Sequence, residues 1–486
     1  MKRRAKIVAT LGPSSDTRDR INELITAGID VARLNFSHGT HESHLHLIEL
    51  INDCSKENKK PITILQDLQG PKLRVGELPK TGIALNAGEI ILMELNDEKR
   101  KIDFEEGKIK KIFLDIPNIL HCLRPGSRLL LDDGKLELEV QEIFEGSFSA
   151  KVLLGGTLFS NKGVNLPGTS LPIHSFTEKD REDLLFGLAN HIDAVAISFV
   201  RTAEDIKEIR RFIQSYSPEN SALPIIAKME LPEAVKNVES ILESSDGVMV
   251  ARGDLAVETS PSKVPIIQKE IIQAANRKGK LVITATQMLD SMINNPRPTR
   301  AEASDVANAI FDGSDAVMLS GETANGMYPV ESVKMMAAII EEAESNIGDW
   351  GHYYRSAIGK DQDDAFAISI AARELAHDRK VKCVAVFTQS GRSAILQSKA
   401  RPEVPIFAFT PIERTYRRLN MYWGVTPYLV PFSNTLEDMI HHVEETLIHT
   451  MGFESGQRLV LISGFPIGAM RPTNLALLHT IGSLEQ

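Results

Sequence analysis

Short apolar runs recur along the chain, and each ends in polar or charged residues: KIVATLG, DVARLNFS, ITILQDL, AVAISFV, PIIAKME, GVMVARGDL, LVITATQ and AVMLSGET. Between them, segments such as RDRINELITAG, AEDIKEIRRFIQSY and SKVPIIQKEIIQAANRKG carry apolar residues at helical spacing. This alternation predicts parallel β-α units, and eight of them predict a TIM-type (β/α)8 barrel.

The rhythm breaks once. From 71 to 167 the pattern changes to short runs bounded by Asp-Asp-Gly and Glu-Gly turns, as in GSRLLLDDGKLELEVQEI, which predicts an inserted small β domain. It leaves and rejoins near Pro71 and Pro167, at the C-terminal ends of the strands, where it could act as a lid. The barrel is therefore expected at 1–70 and 168–345. After a polar stretch, GHYYRSAIGKDQDDA, a helix in AFAISIAARELAHD and a strand in KCVAVFT predict a C-terminal α/β domain over 346–486.

Composition narrows the class. With 42% hydrophobic and 25% charged residues, and no apolar run near the ~20 residues of a membrane span, the chain reads as soluble and globular, with no membrane partner. MKRRAKIVATLGPSSD is a poor signal peptide and reads as a first strand. Cys54, Cys122 and Cys383 are scattered and form no CxxC, which suits a reducing cytoplasm and argues against a disulfide framework or a thiolate metal site. A net charge of −10 disfavours nucleic acid as a partner.

In such a barrel, chemistry sits at the C-terminal ends of the strands. Read in order these ends supply Arg33, Asn35 and Ser37; Asp67; Ser198; Lys228 and Glu230; Arg252, Gly253 and Asp254; Thr286; Ser320 and Glu322. Paired carboxylates without a Cys/His cluster suit a hard divalent ion such as magnesium. Arg33, Lys228 and Arg252 are expected to supply positive charge to a phosphorylated anion. A lone charged strand end is more often a solvated edge or a structural ion pair, but agreement at eight ends argues for a site. In SHGTHESHLHL the zincin pattern fails because Leu45 stands where a second histidine is needed, so a Ser37 or Thr40 helix cap is the better reading. RPTRAEASDVANAI predicts Thr299 as an N-cap with Glu302 completing a capping box. Neither GxxxxGK[ST] nor GxGxxG occurs, so any nucleotide is held without those loops.

Over essentially the whole chain, RLNFSHG, AKMEL, MVARGDLAVE, ATQMLDSM, RPTRAEASDVANA and MLSGETA resemble the segments of the pyruvate kinase family, in that family's order. The resemblance implies a glycolytic phosphotransferase acting on phosphoenolpyruvate and ADP, with Mg2+ (or Mn2+) on Glu230 and Asp254. Lys228 would stabilise the phosphoryl group in flight and the enolate, and Arg33 the phosphate. Gly253 and Asp254 would offer N–H groups to the substrate carboxylate, while Thr286, with Ser320 and Glu322, would help deliver a proton to the enolate. Thr10, His38 and Arg74 match the nucleotide side, although two lysines usual there are replaced by Thr202 and Asn325. The family's DTKGPEIR segment stands here as DLQGPKLR, so Lys72 replaces a glutamate that accompanies potassium. Asn35, Ser37 and Asp67 match the potassium ligands, and K+ is expected not to be required. FTQSGRSA resembles the family's effector phosphate loop, with Thr388, Ser390, Gly391, Arg392 and Ser393 as an anion nest for a phosphorylated small-molecule effector. A homotetramer is also implied. Two other readings stay open at this point: a barrel lyase acting on a keto acid, and a catalytically silent sugar-phosphate sensor.

Overall fold

Strands that are covered by helices outside and filled by side chains inside must be apolar on both faces. Eight such segments close a parallel barrel in the computed structural model: Lys6–Thr10, Val31–Asn35, Thr63–Asp67, Ala194–Ile197, Ile225–Met229, Gly247–Ala251, Leu281–Ala285 and Ala316–Leu319. The first pairs with both the second and the eighth, so no edge is left. The structure describes residues 3–71, 73–95, 110–115, 119–169, 174–351 and 364–483. Lys72 and most of the polar stretch after Gly351 lie outside the described residues.

Threonine caps start four of the surrounding helices. The hydroxyls of Thr17, Thr40, Thr177 and Thr299 accept the backbone N–H of Arg20, Ser43, Asp180 and Glu302, each worth about 1 kcal/mol. The expected capping box at Thr299 is present, with Glu302 returning to the Thr299 N–H at 2.7 Å. One expected boundary shifts: GVMVARGDL is strand only to Ala251, and Arg252–Glu258 is a short helix.

The insert is all-β, with a seven-stranded sheet and a two-stranded one. It packs its own apolar core around Phe148, Leu129 and Ile112, separate from the barrel's. The C-terminal sheet runs Val425–Leu429, Ile406–Thr410, Val384–Phe387, Arg458–Ser463, Leu475–Thr480, with only the last strand antiparallel. One of its faces joins the barrel's core cluster; the other closes a smaller core of its own.

The C-terminal sheet and its helices seat on the foot of the barrel. Asp30, Asp193, Asp246 and Asp315 each immediately precede an even-numbered barrel strand, and each carboxylate accepts an N–H from the odd strand before it, at Ile7, Ile64, Ile225 and Val282. Three of these aspartates also receive the C-terminal domain: Arg417 Nε donates to Asp193 at 3.0 Å, and Lys399 and Arg401 hold Asp315 at 2.6 and 2.7 Å. Asn420 Nδ2 donates to the Asp30 carbonyl at 3.0 Å. The opposite, C-terminal ends of the strands are left for chemistry.

Candidate active site

Lys228 and Glu230 open the site from below. Lys228 projects from the fifth barrel strand, and its ammonium donates to Ser198 Oγ at 2.7 Å while lying 2.9 Å from Glu230 Oε1 and 3.3 Å from Asp67 Oδ1. Asp67 is shared: Arg33 Nε donates to its other oxygen at 2.7 Å, and Arg33 Nη1 donates to Thr10 Oγ1 at 2.9 Å. Two cations and two carboxylates thus interlock, all nearly buried.

Burial and charge pull these groups in opposite directions. Burial alone would raise the Asp67 carboxyl, but Lys228 and Arg33 outweigh it and hold it below the usual range. Burial would likewise strip the proton from Lys228, and Asp67 with Glu230 overcome that, so the ammonium stays charged. Glu230 differs: burial and the neighbouring Asp254 charge raise its proton affinity despite Lys228. Its Oε2 accepts the Phe199 N–H at 2.6 Å, and its other oxygen faces the Lys228 ammonium, leaving a carboxylate that also feels the charge of Asp254. That donor set fits a divalent cation completed by substrate oxygens. Among the described residues no cluster of three or more His, Cys, Asp or Glu side chains offers a metal a full protein cage.

Across the mouth, Thr286 stands on the loop after the seventh strand. Thr286 and Gln287 both adopt left-handed backbone, φ +69° and +52°, a conformation costing a non-glycine residue ~1–3 kcal/mol. The Thr286 hydroxyl accepts the Gly253 N–H at 2.8 Å and donates to the Ala285 carbonyl at 2.6 Å. The Gly253 N–H is therefore engaged by Thr286. Glu322 turns both oxygens to backbone, accepting from Leu289 N–H at 3.0 Å and Ser320 N–H at 2.7 Å, and burial raises its carboxyl. The buried Ser320 Oγ has no protein partner.

Arg252 departs from expectation. Its guanidinium does not join the Lys228 group; it reaches behind the strand ends to the carbonyls of the 285–287 loop and to Asp305. The strand ends at Ala251, and the turn into a helix carries the side chain outward.

The nucleotide-side residues are dispersed. Thr10 is buried with Arg33, whereas His38 is exposed on the loop after the second strand and Arg74 donates to the Asn161 carbonyl within the insert. Asn35 Oδ1 accepts the Ser37 N–H, and Thr202 N–H is taken by Asp205. Behind the His38 loop lies a group that the sequence reading missed. His44 stacks on Phe36 with ring centroids 4.0 Å apart and donates to the His38 carbonyl from Nε2 at 2.9 Å. His41 Nε2 meets Asp183, which Lys179 also pairs. His41 and Asp183 are 142 positions apart, so no local pattern could have joined them.

The insert meets the barrel over a cleft of about 210 Å³ that includes Asp254, Phe199, Arg201 and Leu73. At its edge Asn165 Nδ2 donates to Glu258 Oε1 at 2.8 Å, tying the insert to the helix that carries Asp254. In the C-terminal domain a second cavity of about 210 Å³ opens at Thr388, Ser390, Arg392 and Ser393. Gly391, φ +89°, donates its N–H to Thr388 Oγ1, and Ser393 Oγ meets Thr473 Oγ1 at 2.6 Å. Arg471 and Thr473 form the facing wall; SGFPIGAMRPT, a Gly/Pro-rich turn with an arginine, was the available signal.

Comparison with known proteins adds to this geometry. A family model described as "Pyruvate kinase, barrel domain" matches residues 2–333, and one described as "Pyruvate kinase, alpha/beta domain" matches 366–479. The chain is 42% identical over 490 residues to a pyruvate kinase of Sporosarcina psychrophila, an overlap covering 99% of this chain and 81% of that protein. It is 41% identical over 486 residues to one of Geobacillus stearothermophilus, covering 100% and 81%. It is also 41% identical over 487 residues to one of Staphylococcus aureus strain MRSA252, covering 99% and 81%.

Proposed function

The chain belongs to the pyruvate kinase family and transfers the phosphoryl group of phosphoenolpyruvate to ADP, giving pyruvate and ATP; on that premise we propose which of its residues do so. Lys228 is the charge that accompanies the phosphoryl group and then the enolate oxygen. Its position among Ser198, Asp67 and Glu230, buried and held charged, is the observation that carries this reading. Arg33 adds a second cation from the wall of the barrel.

Glu230 and Asp254 would hold Mg2+ or Mn2+, which when bound supplies Lewis-acid stabilisation of charge on the transferring group. Gly253 and Asp254 orient the substrate carboxylate, and Thr286 delivers the proton to the enolate carbon. Ser320, whose buried hydroxyl lacks a protein partner, passes protons between Thr286 and solvent. Glu322 acts by fixing Ser320 and Leu289 through their N–H groups. Thr10, His38 and Arg74 serve the nucleotide side.

Turnover does not require potassium. Asp67, one of the residues matching the potassium ligands, already faces Arg33 and Lys228, and in the sequence Lys72 stands where the family carries the glutamate that accompanies potassium. The loop Thr388–Ser393 takes the phosphate of a small activating metabolite. The catalytic barrel comprises 1–70 and 168–345, the lid 71–167 and the effector domain 346–486, and the enzyme works in the cytoplasm as a homotetramer. No described helix is long and apolar enough to cross a membrane.

The test is pyruvate formation from phosphoenolpyruvate and ADP with magnesium, in potassium or in sodium at equal ionic strength, for the natural protein and Lys228→Met. Turnover equal in both salts and reduced at least ~1,000-fold in the variant supports the assignment, since a buried transition-state charge is worth several kcal/mol. Loss of turnover in sodium removes the potassium claim alone.

A further inference from the structure

Arg252 makes more directed hydrogen bonds than its position at a strand end requires. Its Nε donates to the carbonyls of Ala285 at 3.3 Å and Thr286 at 3.2 Å; its Nη2 donates to Thr286 at 2.7 Å and Gln287 at 3.1 Å. Nη1 closes on Asp305 Oδ2 at 2.6 Å, on the helix Arg300–Phe311. Three consecutive carbonyls thus converge on one planar guanidinium. Two of these carbonyls belong to Thr286 and Gln287, both in left-handed backbone. A lysine has no planar fork with which to span them.

The next residue in the chain closes the loop from the other side, since the Gly253 N–H is the donor to Thr286 Oγ1. The Arg252 side chain and the Gly253 backbone therefore fix, respectively, the carbonyl and the hydroxyl of Thr286, a strained residue. We infer that Arg252, braced by Asp305, is a positioning residue for proton delivery: it holds Thr286 where its hydroxyl meets the enolate carbon, without touching substrate itself. The inference rests on Thr286 handling that proton. In that step the enolate's C=C electron pair takes the Thr286 proton to form the C–H bond, the enolate oxygen becomes the ketone of pyruvate, and the hydroxyl recovers a proton from solvent. Phosphoryl transfer to ADP precedes it and depends on the Lys228 group, which Arg252 does not contact.

The two half-reactions can be read apart. Exchange of the pyruvate methyl hydrogens into D2O with magnesium, followed by proton NMR, reports proton delivery on the full-length enzyme; steady-state kinetics report kcat and the KM for phosphoenolpyruvate. Arg252→Gln is expected to slow exchange and kcat by ~100-fold, the scale of a misplaced reacting group, and to leave the KM for phosphoenolpyruvate within about twofold. Arg252→Lys is expected not to rescue either rate, and Asp305→Asn to slow both by about tenfold. Thr286→Val is the control for the underlying reading and should abolish exchange. If Thr286→Val abolishes exchange and a folded Arg252→Gln exchanges at the natural rate, the role of Arg252 is refuted while that of Thr286 stands. If Thr286→Val exchanges normally, both fall. Should Arg252→Gln fail to fold, Asp305→Asn decides: unchanged exchange overturns the inference, and slowed exchange at an unchanged KM sustains it.

Discussion

Lys228 Nζ lies 2.9 Å from Glu230 Oε1, two residues further along the same chain, yet the two respond to burial in opposite ways: Lys228 keeps its charge and Glu230 is drawn toward its neutral form. Burial weighs on both, but Lys228 has two carboxylates, Asp67 and Glu230, to offset it, whereas Glu230 has the Lys228 ammonium set against burial and the like charge of Asp254.

A metal binding at Glu230 must displace a proton that the carboxyl retains to higher pH than usual. Apparent magnesium affinity is therefore expected to weaken as pH falls through the upper carboxylate range, with a limiting slope of one proton. Glu230→Gln should remove that pH dependence and raise half-saturating magnesium by at least ~10-fold, measured by activity against free magnesium at several pH values.

His44 is expected to stay neutral in the folded protein. Burial lowers its pKa, and its Nδ1 is buried without a partner to accept a second proton's charge. The unfolded chain takes up that proton first, so this contribution to stability is lost as pH falls through the ordinary histidine range. His44→Phe keeps the stack on Phe36 but frees the His38 carbonyl, and should raise the KM for ADP several-fold while the KM for phosphoenolpyruvate stays within about twofold.

The Thr388–Ser393 loop, proposed to take an effector phosphate, tolerates little at Gly391. A Cβ there would lie 3.2 Å from Leu419 Cδ2 and 3.4 Å from Thr415 Cγ2, in a backbone conformation that L side chains rarely adopt. Gly391→Ala and Ser393→Asp are both expected to abolish activation by every member of a panel of sugar monophosphates and bisphosphates, and calorimetry should show the corresponding loss of binding. Retained activation in Ser393→Asp would place the effector elsewhere.

Asp30 supplies a pH-dependent share of stability. Burial alone would raise its carboxyl, but Arg3, Lys6 and Lys60 reverse this and hold it at about 2 against an ordinary 3.8. A depressed carboxyl stabilises fully above its unfolded value and loses that contribution as pH falls toward the folded one. About 2 kcal/mol is at stake between pH 4 and 2. Urea midpoints at pH 4.5 and pH 3 should differ less in Asp30→Asn than in the natural protein.

The barrel was legible because each strand announces itself as an apolar run ended by a polar residue, and Thr40 and Thr299 could be read as caps from local chemistry alone. Lys228, Glu230, Asp67 and Arg33 were nameable for the same reason, and the structure brings them within hydrogen-bonding reach of one another. Arg252 was misread because a strand end fixes where a Cα lies and not where a long side chain goes once the chain turns into a helix. His41, Asp183 and Lys179 escaped notice since nothing local relates them. The aspartates before the even strands did leave a trace, in GIDV, HIDA, SSDG and GSDA, but its meaning depends on which strands are neighbours.

Two of those carboxylates also decide how the molecule comes apart. Asp193 and Asp315 are wholly buried in the intact chain, and removing the C-terminal domain would take away Arg417, Lys399 and Arg401 and bare the apolar side chains that the barrel and the C-terminal sheet share in one core. The barrel is therefore not a separable module: a chain ended after the barrel's last helix should be insoluble or unfolded. Barrel and C-terminal domain should melt in one transition, while the insert, with a private core, is free to melt in another.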